Sequence, residues 1–219
     1  MLSNLATPQT PAETFVAYAL SIGALELLPN GRELKSGRIS PYFFNSGLFN
    51  TGESISNLAK AYSAAAQDEF HPEVVFGPAY KGIPLATSVA QAIGGKVGYA
   101  FNRKEAKDHG EGGIIVGASL AGKNVLIVDD VMTTGTSSGE AVEIIRANGG
   151  IPIGCVIAFD RQERGKEGNQ SAVQGFEENY GIAVRAAATL SDLIGLLLRT
   201  GGRGEMLEKI LDYRKEYGV

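Results

Sequence analysis

Short apolar runs alternate with segments of helical periodicity along most of this chain. Continuous apolar runs predict strands buried on both faces of a sheet, and apolar residues spaced by three or four predict helices. The strand-like runs lie at residues 74–77, 96–101, 125–129, 151–159 and 182–187. The helical segments lie at about residues 11–25, 55–70, 83–93, 138–148, 170–180, 190–199 and 204–217. This alternation predicts an α/β fold with a mainly parallel sheet flanked by helices.

Two segments depart from the alternation. Residues 33–49 contain short strand-like stretches broken by glycine and proline, and we expect them to form a small hood with the C-terminal segments. Residues 103–113 are polar, rich in glycine and without an apolar anchor, which predicts a mobile lid loop. We expect a single domain over residues 1–219, with its core between about residues 55 and 188.

Composition narrows the class of protein. The 219 residues are 44% hydrophobic and 20% charged, as in a soluble globular domain, and 20 basic against 24 acidic residues leave a net charge of −4. This balance argues against broad nucleic-acid binding. No apolar run approaches about 18 residues and no basic leader precedes an apolar stretch, so we expect a cytoplasmic protein without a membrane span. Cys155, the only cysteine, lies in an apolar run and is expected to be an inert core residue.

The most informative stretch spans residues 125–138 and reads VLIVDDVMTTGTSS. An apolar strand ends in the carboxylate pair Asp129 and Asp130, and a loop of hydroxyl residues and glycine then leads into a helix. Such a loop points backbone N–H groups at a helix N-terminus, where the helix dipole favours an anion. The two carboxylates suit ribose hydroxyls, or a Mg²⁺ ion shared with pyrophosphate oxygens. The combination predicts a site for a phosphorylated sugar, whereas an acidic strand end with a helix N-cap is the simpler alternative.

Two other strand ends carry polar residues. In open α/β sheets, ligands bind at the carboxyl ends of the strands. The loop GPAYKGIP follows the strand at 74–77 and brings Tyr80 and Lys81 to that edge, while Arg161 follows the strand at 151–159. We expect these strand ends to converge with the carboxylate pair on one crevice.

The lid segment carries the densest positive cluster of the chain, which consists of Arg103, Lys104, Lys107 and His109. Acidic neighbours partly neutralise it, so a solvated charged loop is the simpler alternative. Each charge-assisted hydrogen bond to a phosphate contributes about 1.5–3 kcal/mol, and ordering the loop costs about 1–2 kcal/mol per residue. Because the two sums are comparable, the loop can be open when the site is empty and closed when a ligand is bound.

Several motifs together resemble those of the orotate phosphoribosyltransferases, within the type I phosphoribosyltransferase family. The stretch at 125–138 resembles the motif with which that family binds phosphoribosyl diphosphate (PRPP). Three others narrow the resemblance: LKSGRISPYFFNSG at 34–47, GPAYKGIP at 77–84 and NRKEAKDHGEGG at 102–113. The resemblance implies the type I phosphoribosyltransferase fold and transfer of phosphoribose from PRPP to orotate. The products would be orotidine 5′-monophosphate and pyrophosphate, in pyrimidine nucleotide synthesis.

The residues and the resemblance together assign side chains to the two substrates. The residues assigned to PRPP binding are Lys35, Tyr80, Lys81, Arg103, Lys104, Lys107, His109, Asp129, Asp130, Val131, Met132, Thr133, Thr134, Gly135, Thr136 and Ser137. Orotate binding falls on Phe43, Phe44, Thr133 and Arg161. A guanidinium fork suits the orotate carboxylate, and an aromatic ring can lie against the flat base, whereas the neighbouring Tyr42 is expected in the core. The catalytic candidates are Lys107, His109, Asp129 and Asp130.

The resemblance has three further implications. The GPAYKGIP loop holds pyrophosphate and can contain a non-proline cis peptide bond. Mg²⁺ is bound mainly through PRPP, with Asp129 and Asp130 as its protein neighbours. The protein is a homodimer in which Arg103, Lys107 and His109 act in the neighbouring site, while Lys104 acts in its own.

Two alternative functions stay open from the sequence. The first is a phosphoribosyltransferase for another nucleobase, against which Arg161 and the pair Phe43 and Phe44 argue. The second is a PRPP-sensing regulator that binds nucleic acid, against which the acidic charge balance and the lack of an added basic domain argue.

Overall fold

This computed structural model describes residues 8–67, 69–107, 113–165, 168–200 and 204–219, and for residues 106 and 107 it describes the backbone alone. The described residues form eight strands and seven α-helices. In chain order they are α1 (Pro11–Ser21), β1 (Leu25–Glu33), β2 (Ile39–Phe44), α2 (Gly52–Ala66), β3 (Val74–Gly77), α3 (Gly82–Ile93), β4 (Gly98–Lys107), β5 (Gly113–Gly117), β6 (Asn124–Asp129), α4 (Thr136–Ala147), β7 (Ile151–Asp160), α5 (Ala172–Tyr180), β8 (Val184–Thr189), α6 (Leu190–Arg199) and α7 (Gly204–Tyr217). Among these helices, none is both long enough and apolar enough to cross a bilayer.

Six strands form the central sheet. Their order is β5-β4-β3-β6-β7-β8, and all neighbours are parallel except β4 and β5 at one edge, which are antiparallel. Leu58 of α2 and Leu85 of α3 pack on one face, and Ile145 of α4 and Phe176 of α5 pack on the other. The prediction of a mainly parallel sheet flanked by helices is confirmed.

Strand β6 shows why the central runs are apolar at every position. Leu126 and Val128 belong to the core on one face of the sheet, while Val125 and Ile127 belong to the core on the other, and all four are fully buried. A strand covered on both faces has no position that water can reach. Cys155 of β7 is buried in the second core, where burial raises the pKa of its thiol, so the prediction of a core cysteine is confirmed.

A second, two-stranded sheet forms the hood, in which β1 and β2 pair antiparallel. The prediction that the first helix continues to Leu25 was wrong. The helix ends at Ser21, and Gly23 adopts a φ of +74°, which stops the helical backbone before β1 begins. Tyr42 of β2 is fully buried and packs edge-on against Tyr213 of α7, with ring centroids 6.0 Å apart. The hood is thus attached to the C-terminal helix, and Tyr42 is a core residue as expected.

The segment expected to be a lid is partly a strand. Residues 103–107 continue β4, and Lys107 pairs with Gly113 at the start of the antiparallel strand β5. The expectation of an unanchored loop from residue 103 onwards was wrong for this part, because main-chain hydrogen bonds between edge strands need no apolar side chains. The remainder of the predicted lid, residues 108–112, lies outside the described residues.

Candidate active site

Three strand ends meet at the carboxyl edge of the parallel sheet. Strand β6 lies between β3 and β7. The acid pair after β6 is therefore flanked by the loop after β3 on one side and by Arg161 after β7 on the other. Neighbouring parallel strands present their carboxyl ends at the same edge, where α/β proteins bind ligands. The strand ends converge as the sequence predicts.

Asp129 is the more enclosed member of the acid pair. Its carboxylate accepts hydrogen bonds from the backbone N–H of Asp130 at 2.9 Å and from the Ser138 hydroxyl at 3.4 Å. The Tyr62 hydroxyl donates to the carbonyl oxygen of Asp129 at 2.7 Å, which holds the end of β6 in place. Burial raises the pKa of the Asp129 carboxyl, although the hydrogen bond from Asp130 opposes this. A buried carboxylate with a raised pKa at a strand end is typical of functional sites.

Asp130 connects three parts of the site. Its Oδ1 accepts the backbone N–H of Val131 at 2.9 Å. Its Oδ2 accepts from the Lys81 ammonium at 2.6 Å and from the Ser46 hydroxyl at 2.6 Å. The Lys81 side chain is 69% exposed, so a ligand can reach this ion pair from solvent. The sequence placed Lys81 at this edge but did not indicate a role for Ser46, which follows the hood strand β2 within the LKSGRISPYFFNSG stretch.

Residues 131–137 lead from the acid pair into α4. Gly135 directly precedes the helix with a φ of +74°, a left-handed conformation that glycine adopts without strain. No hydrogen bond joins the backbone N–H groups of residues 133–138 to another described residue. The hydroxyls of Thr134 and Thr136 lie 3.0 Å apart beside them. N–H groups without a partner at the positive end of a helix are able to hold an anion.

The loop after β3 folds back on itself at two glycines. A Cβ on Gly77 would collide with the backbone of Gly82, and a Cβ on Gly82 would collide with Gly77, so the close approach requires glycine at both positions. The peptide bond between Ala79 and Tyr80 is cis. The side-chain oxygen of Asn102 accepts the backbone N–H of Ala79 at 3.0 Å, which attaches the loop to β4. Sequence reasoning did not indicate Asn102, although it begins the NRKEAKD stretch.

A cavity of about 590 Å³ lies over the start of α4. Its lining includes residues 131–138 together with Pro78, Arg103 and Lys104. The Lys104 ammonium lies 5.1 Å from the centroid of the Tyr80 ring, within the range of a cation–π contact. Basic side chains and the N–H groups at the start of α4 therefore line one space, which has the size of a small-molecule site.

Arg161 is held by an acidic residue that sequence reasoning missed. Its Nη2 lies 2.6 Å from Glu163 Oε1 and donates to the Ser40 hydroxyl at 3.0 Å. The guanidinium carbon lies 4.4 Å from the centroid of the Tyr42 ring. Glu163 stands in the same DRQERG stretch, but nothing in the spacing of that stretch indicates which of its charges turns inward. Arg161 follows β7, the strand next to β6, but is not part of the cavity lining.

The aromatic pair and the hood lysine take different positions. Phe44 is buried and stacks on Phe159 of β7, with ring centroids 5.5 Å apart. Phe43 is half-buried, and the Arg32 guanidinium lies 4.1 Å from the centroid of its ring. Of the two phenylalanines, Phe43 thus has the more accessible ring. Lys35 is exposed in the turn between β1 and β2, outside the cavity lining.

Two predicted catalytic residues are not placed by the structure. The side chain of Lys107 and all of His109 lie outside the described residues. Ser138, by contrast, is a buried hydroxyl that could have been predicted. It shares helical spacing with the buried residues Ala141 and Ile145 on the inner face of α4.

The geometry of this site can be compared with known proteins. A family model described as the phosphoribosyl transferase domain matches residues 48–189. The orotate phosphoribosyltransferase of Thioalkalivibrio sulfidiphilus is 50% identical over 216 residues, which cover 96% of this chain and 100% of the relative. That of Thiobacillus denitrificans is 53% identical over 210 residues, which cover 94% of this chain and 97% of the relative. The solved orotate phosphoribosyltransferase of Francisella tularensis superimposes with a TM-score of 0.84 at 35% identity, covering 94% of this chain and 100% of its own.

The mainly parallel sheet flanked by helices is that of a type I phosphoribosyltransferase. The curated relatives point to a narrower family within this class, because their sequences are about 50% identical to this one over nearly the whole chain. This chain belongs to the orotate phosphoribosyltransferase family.

Proposed function

We propose that this chain transfers phosphoribose from PRPP to orotate, giving orotidine 5′-monophosphate and pyrophosphate in pyrimidine biosynthesis. The observation that carries the proposal is the cavity that the N-terminal end of α4 lines together with Arg103 and Lys104, with Asp129 in its wall. The identity to relatives named orotate phosphoribosyltransferase favours orotate over another nucleobase, and favours an enzyme over a regulatory protein.

PRPP carries anionic groups at two ends, and the site has donors for both. The N–H groups of residues 133–138 receive the 5′-phosphate, where the helix dipole adds to their attraction. Lys81 and Lys104 attract the pyrophosphate group. The acid pair takes the ribose hydroxyls between the two ends. When PRPP binds, the exposed Lys81 ammonium exchanges Asp130 for pyrophosphate oxygens.

The acid pair also fits a Mg²⁺ ion that is held mainly by the substrate. Mg²⁺ in phosphate sites binds one or two protein carboxylates and keeps waters and substrate oxygens as its other ligands. Asp129 and Asp130 supply two carboxylates, and the part of the chain that the structure describes contains no group of three or more candidate ligands. When bound with PRPP, the ion would neutralise charge on the pyrophosphate.

The reaction separates charge, and the site is arranged to stabilise that separation. The bond from the anomeric carbon to a pyrophosphate oxygen breaks, a bond from that carbon to a ring nitrogen of orotate forms, and the proton of that nitrogen is released. Positive charge develops on the ribose beside Asp129 and Asp130, and negative charge develops on the pyrophosphate beside Lys81 and Lys104. Lys107 and His109 of the lid segment assist the departing pyrophosphate, and lid closure excludes water.

Arg161 is assigned to the carboxylate of orotate. A guanidinium has five N–H donors, and Glu163 and Ser40 occupy two of them on Nη2. The remaining donors suit a planar carboxylate. Phe43 has the accessible ring that can lie against the base, while Phe44 supports the same strand from the core side.

The active form is a homodimer in which lid residues reach the neighbouring site. The resemblance of residues 102–113 to the family motif supports this arrangement. Lys107 and His109 act across the dimer, together with Arg103, while Lys104 serves its own chain. Because Arg103 borders the cavity of its own chain, Lys107 is the better residue with which to test transfer between chains.

Turnover with defined bases tests the central proposal. The protein is incubated with PRPP, Mg²⁺ and orotate, and loss of orotate absorbance is followed, with uracil and adenine as competing acceptors and omission of PRPP as the control. We expect PRPP-dependent loss of orotate and no turnover of the other bases. Absence of orotate turnover would refute the proposal, and preferential use of another base would assign a different acceptor.

Replacement of Arg161 tests the acceptor assignment. Arg161→Ala should weaken orotate use by about 1.5–3 kcal/mol, measured as kcat/KM, because a charge-assisted hydrogen bond is lost. The KM for PRPP should barely change. Arg164→Ala is the matched control, since Arg164 is a half-buried arginine three residues further on. Equal losses for both substrates would show that Arg161 has another role.

A further inference from the structure

Glu163 is a carboxylate with a 10% exposed side chain that joins the acceptor arginine to the hood. Its Oε1 lies 2.6 Å from Arg161 Nη2 and accepts the Tyr42 hydroxyl at 2.7 Å. Its Oε2 accepts the Tyr213 hydroxyl at 3.1 Å and lies 3.7 Å from Arg38 Nη1. The two oxygens thus have different partners: Oε1 contacts the acceptor arginine, and Oε2 contacts the C-terminal helix and the hood.

The backbone around Glu163 is held on both sides by the C-terminal residues. The N–H of Arg164 donates to the carbonyl of Tyr217 at 2.9 Å, and the N–H of Val219 donates to the carbonyl of Gln162 at 3.1 Å. Because these bonds fix the strand-like segment that carries it, the carboxylate is a stationary partner. A flexible side chain that forms an ion pair with this fixed carboxylate is held in one orientation.

Arg161 is the side chain restrained in this way. Its guanidinium is confined by Glu163 Oε1, by the Ser40 hydroxyl and by the face of the Tyr42 ring. An arginine that is ordered before a ligand arrives loses less rotamer freedom on binding. The negative charge of Glu163 would repel a second carboxylate, but Arg38 balances that charge on the Oε2 side.

We infer that Glu163 is a positioning residue for the acceptor, because its Oε1 holds the Arg161 guanidinium in the orientation that receives the orotate carboxylate. The inference rests on the proposed role of Arg161. It assigns Glu163 no contact with substrate. Its loss should therefore appear in the KM for orotate, while kcat and the KM for PRPP change little.

Glu163→Gln tests the inference, because it removes the charge and keeps the shape. We expect the KM for orotate to rise about threefold to tenfold, the effect of ordering one long side chain on binding. Tyr213→Phe is the control, since it removes a hydrogen bond to Oε2 and a weaker interaction of the Tyr213 hydroxyl with Arg161, and leaves Glu163 Oε1 in place. It should lower the thermal unfolding midpoint and raise the KM for orotate less than Glu163→Gln does. An unchanged or lower orotate KM in Glu163→Gln, or the same rise in Tyr213→Phe, would overturn the inference.

A double variant separates positioning from a general loss of structure. If Glu163 acts through Arg161, then Arg161→Ala/Glu163→Gln has the same orotate KM as Arg161→Ala alone. A further rise in the double variant overturns the inference. If Arg161→Ala leaves orotate kinetics unchanged, the assigned role of Arg161 fails and the inference fails with it. If Arg161→Ala impairs orotate use and Glu163→Gln does not, the inference alone fails.

Discussion

A single methyl group at Gly135 tests the phosphate loop most directly. Gly135 has a φ of +74° immediately before α4. A Cβ built there would lie 3.7 Å from the Phe176 Cβ and 3.9 Å from the Ala172 carbonyl oxygen, both ordinary contacts. Crowding therefore contributes little to the effect of Gly135→Ala. The free-energy cost of Gly135→Ala therefore comes from the backbone conformation, since an L-residue in the left-handed region costs about 1–2 kcal/mol.

The Gly135→Ala variant can show this cost in two ways. If the empty loop keeps its conformation, the free energy of unfolding falls by about 1–2 kcal/mol and the unfolding midpoint drops by about 2–8 °C in a chain of this size. If the empty loop relaxes, stability is kept, but PRPP must restore the strained conformation and binds about 5–30-fold more weakly. The losses of stability and of PRPP binding energy should together amount to about 1–2 kcal/mol.

Thermal unfolding and calorimetric PRPP binding measure the two losses on the same samples. Gly175→Ala is the matched control, because a Cβ at Gly175 of α5 meets nothing within 4 Å and its φ is not positive. It should gain about 0.5–1 kcal/mol of stability, as alanine does in a helix, and keep its affinity for PRPP. If Gly135→Ala loses neither stability nor affinity, the left-handed residue is not needed to hold the phosphate and the reasoning fails.

Three further predictions concern the charged residues of the site. Burial raises the pKa of Asp129 in the folded state above its ordinary value of 3.8, which it keeps in the unfolded state. The free energy of unfolding therefore falls as the pH rises from 3.8 through the folded-state pKa, because the buried carboxyl must ionise. Asp129→Asn should therefore have a higher unfolding midpoint than the unsubstituted protein at pH 7, the same midpoint below pH 3.8, and no turnover. A difference in midpoint that is the same at every pH would contradict this reasoning. Lys81→Ala should barely change stability, because the side chain is 69% exposed, yet weaken PRPP binding by about 1.5–3 kcal/mol; unchanged PRPP affinity would remove Lys81 from the site. Mixing inactive Lys107→Ala chains with inactive Asp129→Ala chains should restore activity if the lid serves the neighbouring site, because one site of a mixed dimer then carries both substitutions and the other carries none. A mixture that stays inactive would show that the lid serves its own chain.

The sequence alone determined the alternation of strands and helices along the chain and the position of the glycine-containing loop before α4. These features depend on residues that are neighbours in the chain. The continuous apolar run of β6 requires burial on both faces of the sheet. Gly135, among hydroxyl residues, allows the tight turn that precedes α4. The close approach of Gly77 and Gly82 also lies within one short loop.

Only the tertiary structure decided which distant side chains complete the site. Ser46 contacts Asp130 across 84 positions of the chain, and no local period connects them. The same is true of Glu163, whose inward direction depends on where Tyr42 and Tyr213 meet. The strand character of β1 and of the polar half of β4 was also hidden, because it comes from hydrogen bonds to a partner strand. A carboxylate or an edge strand is stable in such a place only when its partners are present, and those partners are brought there by the fold.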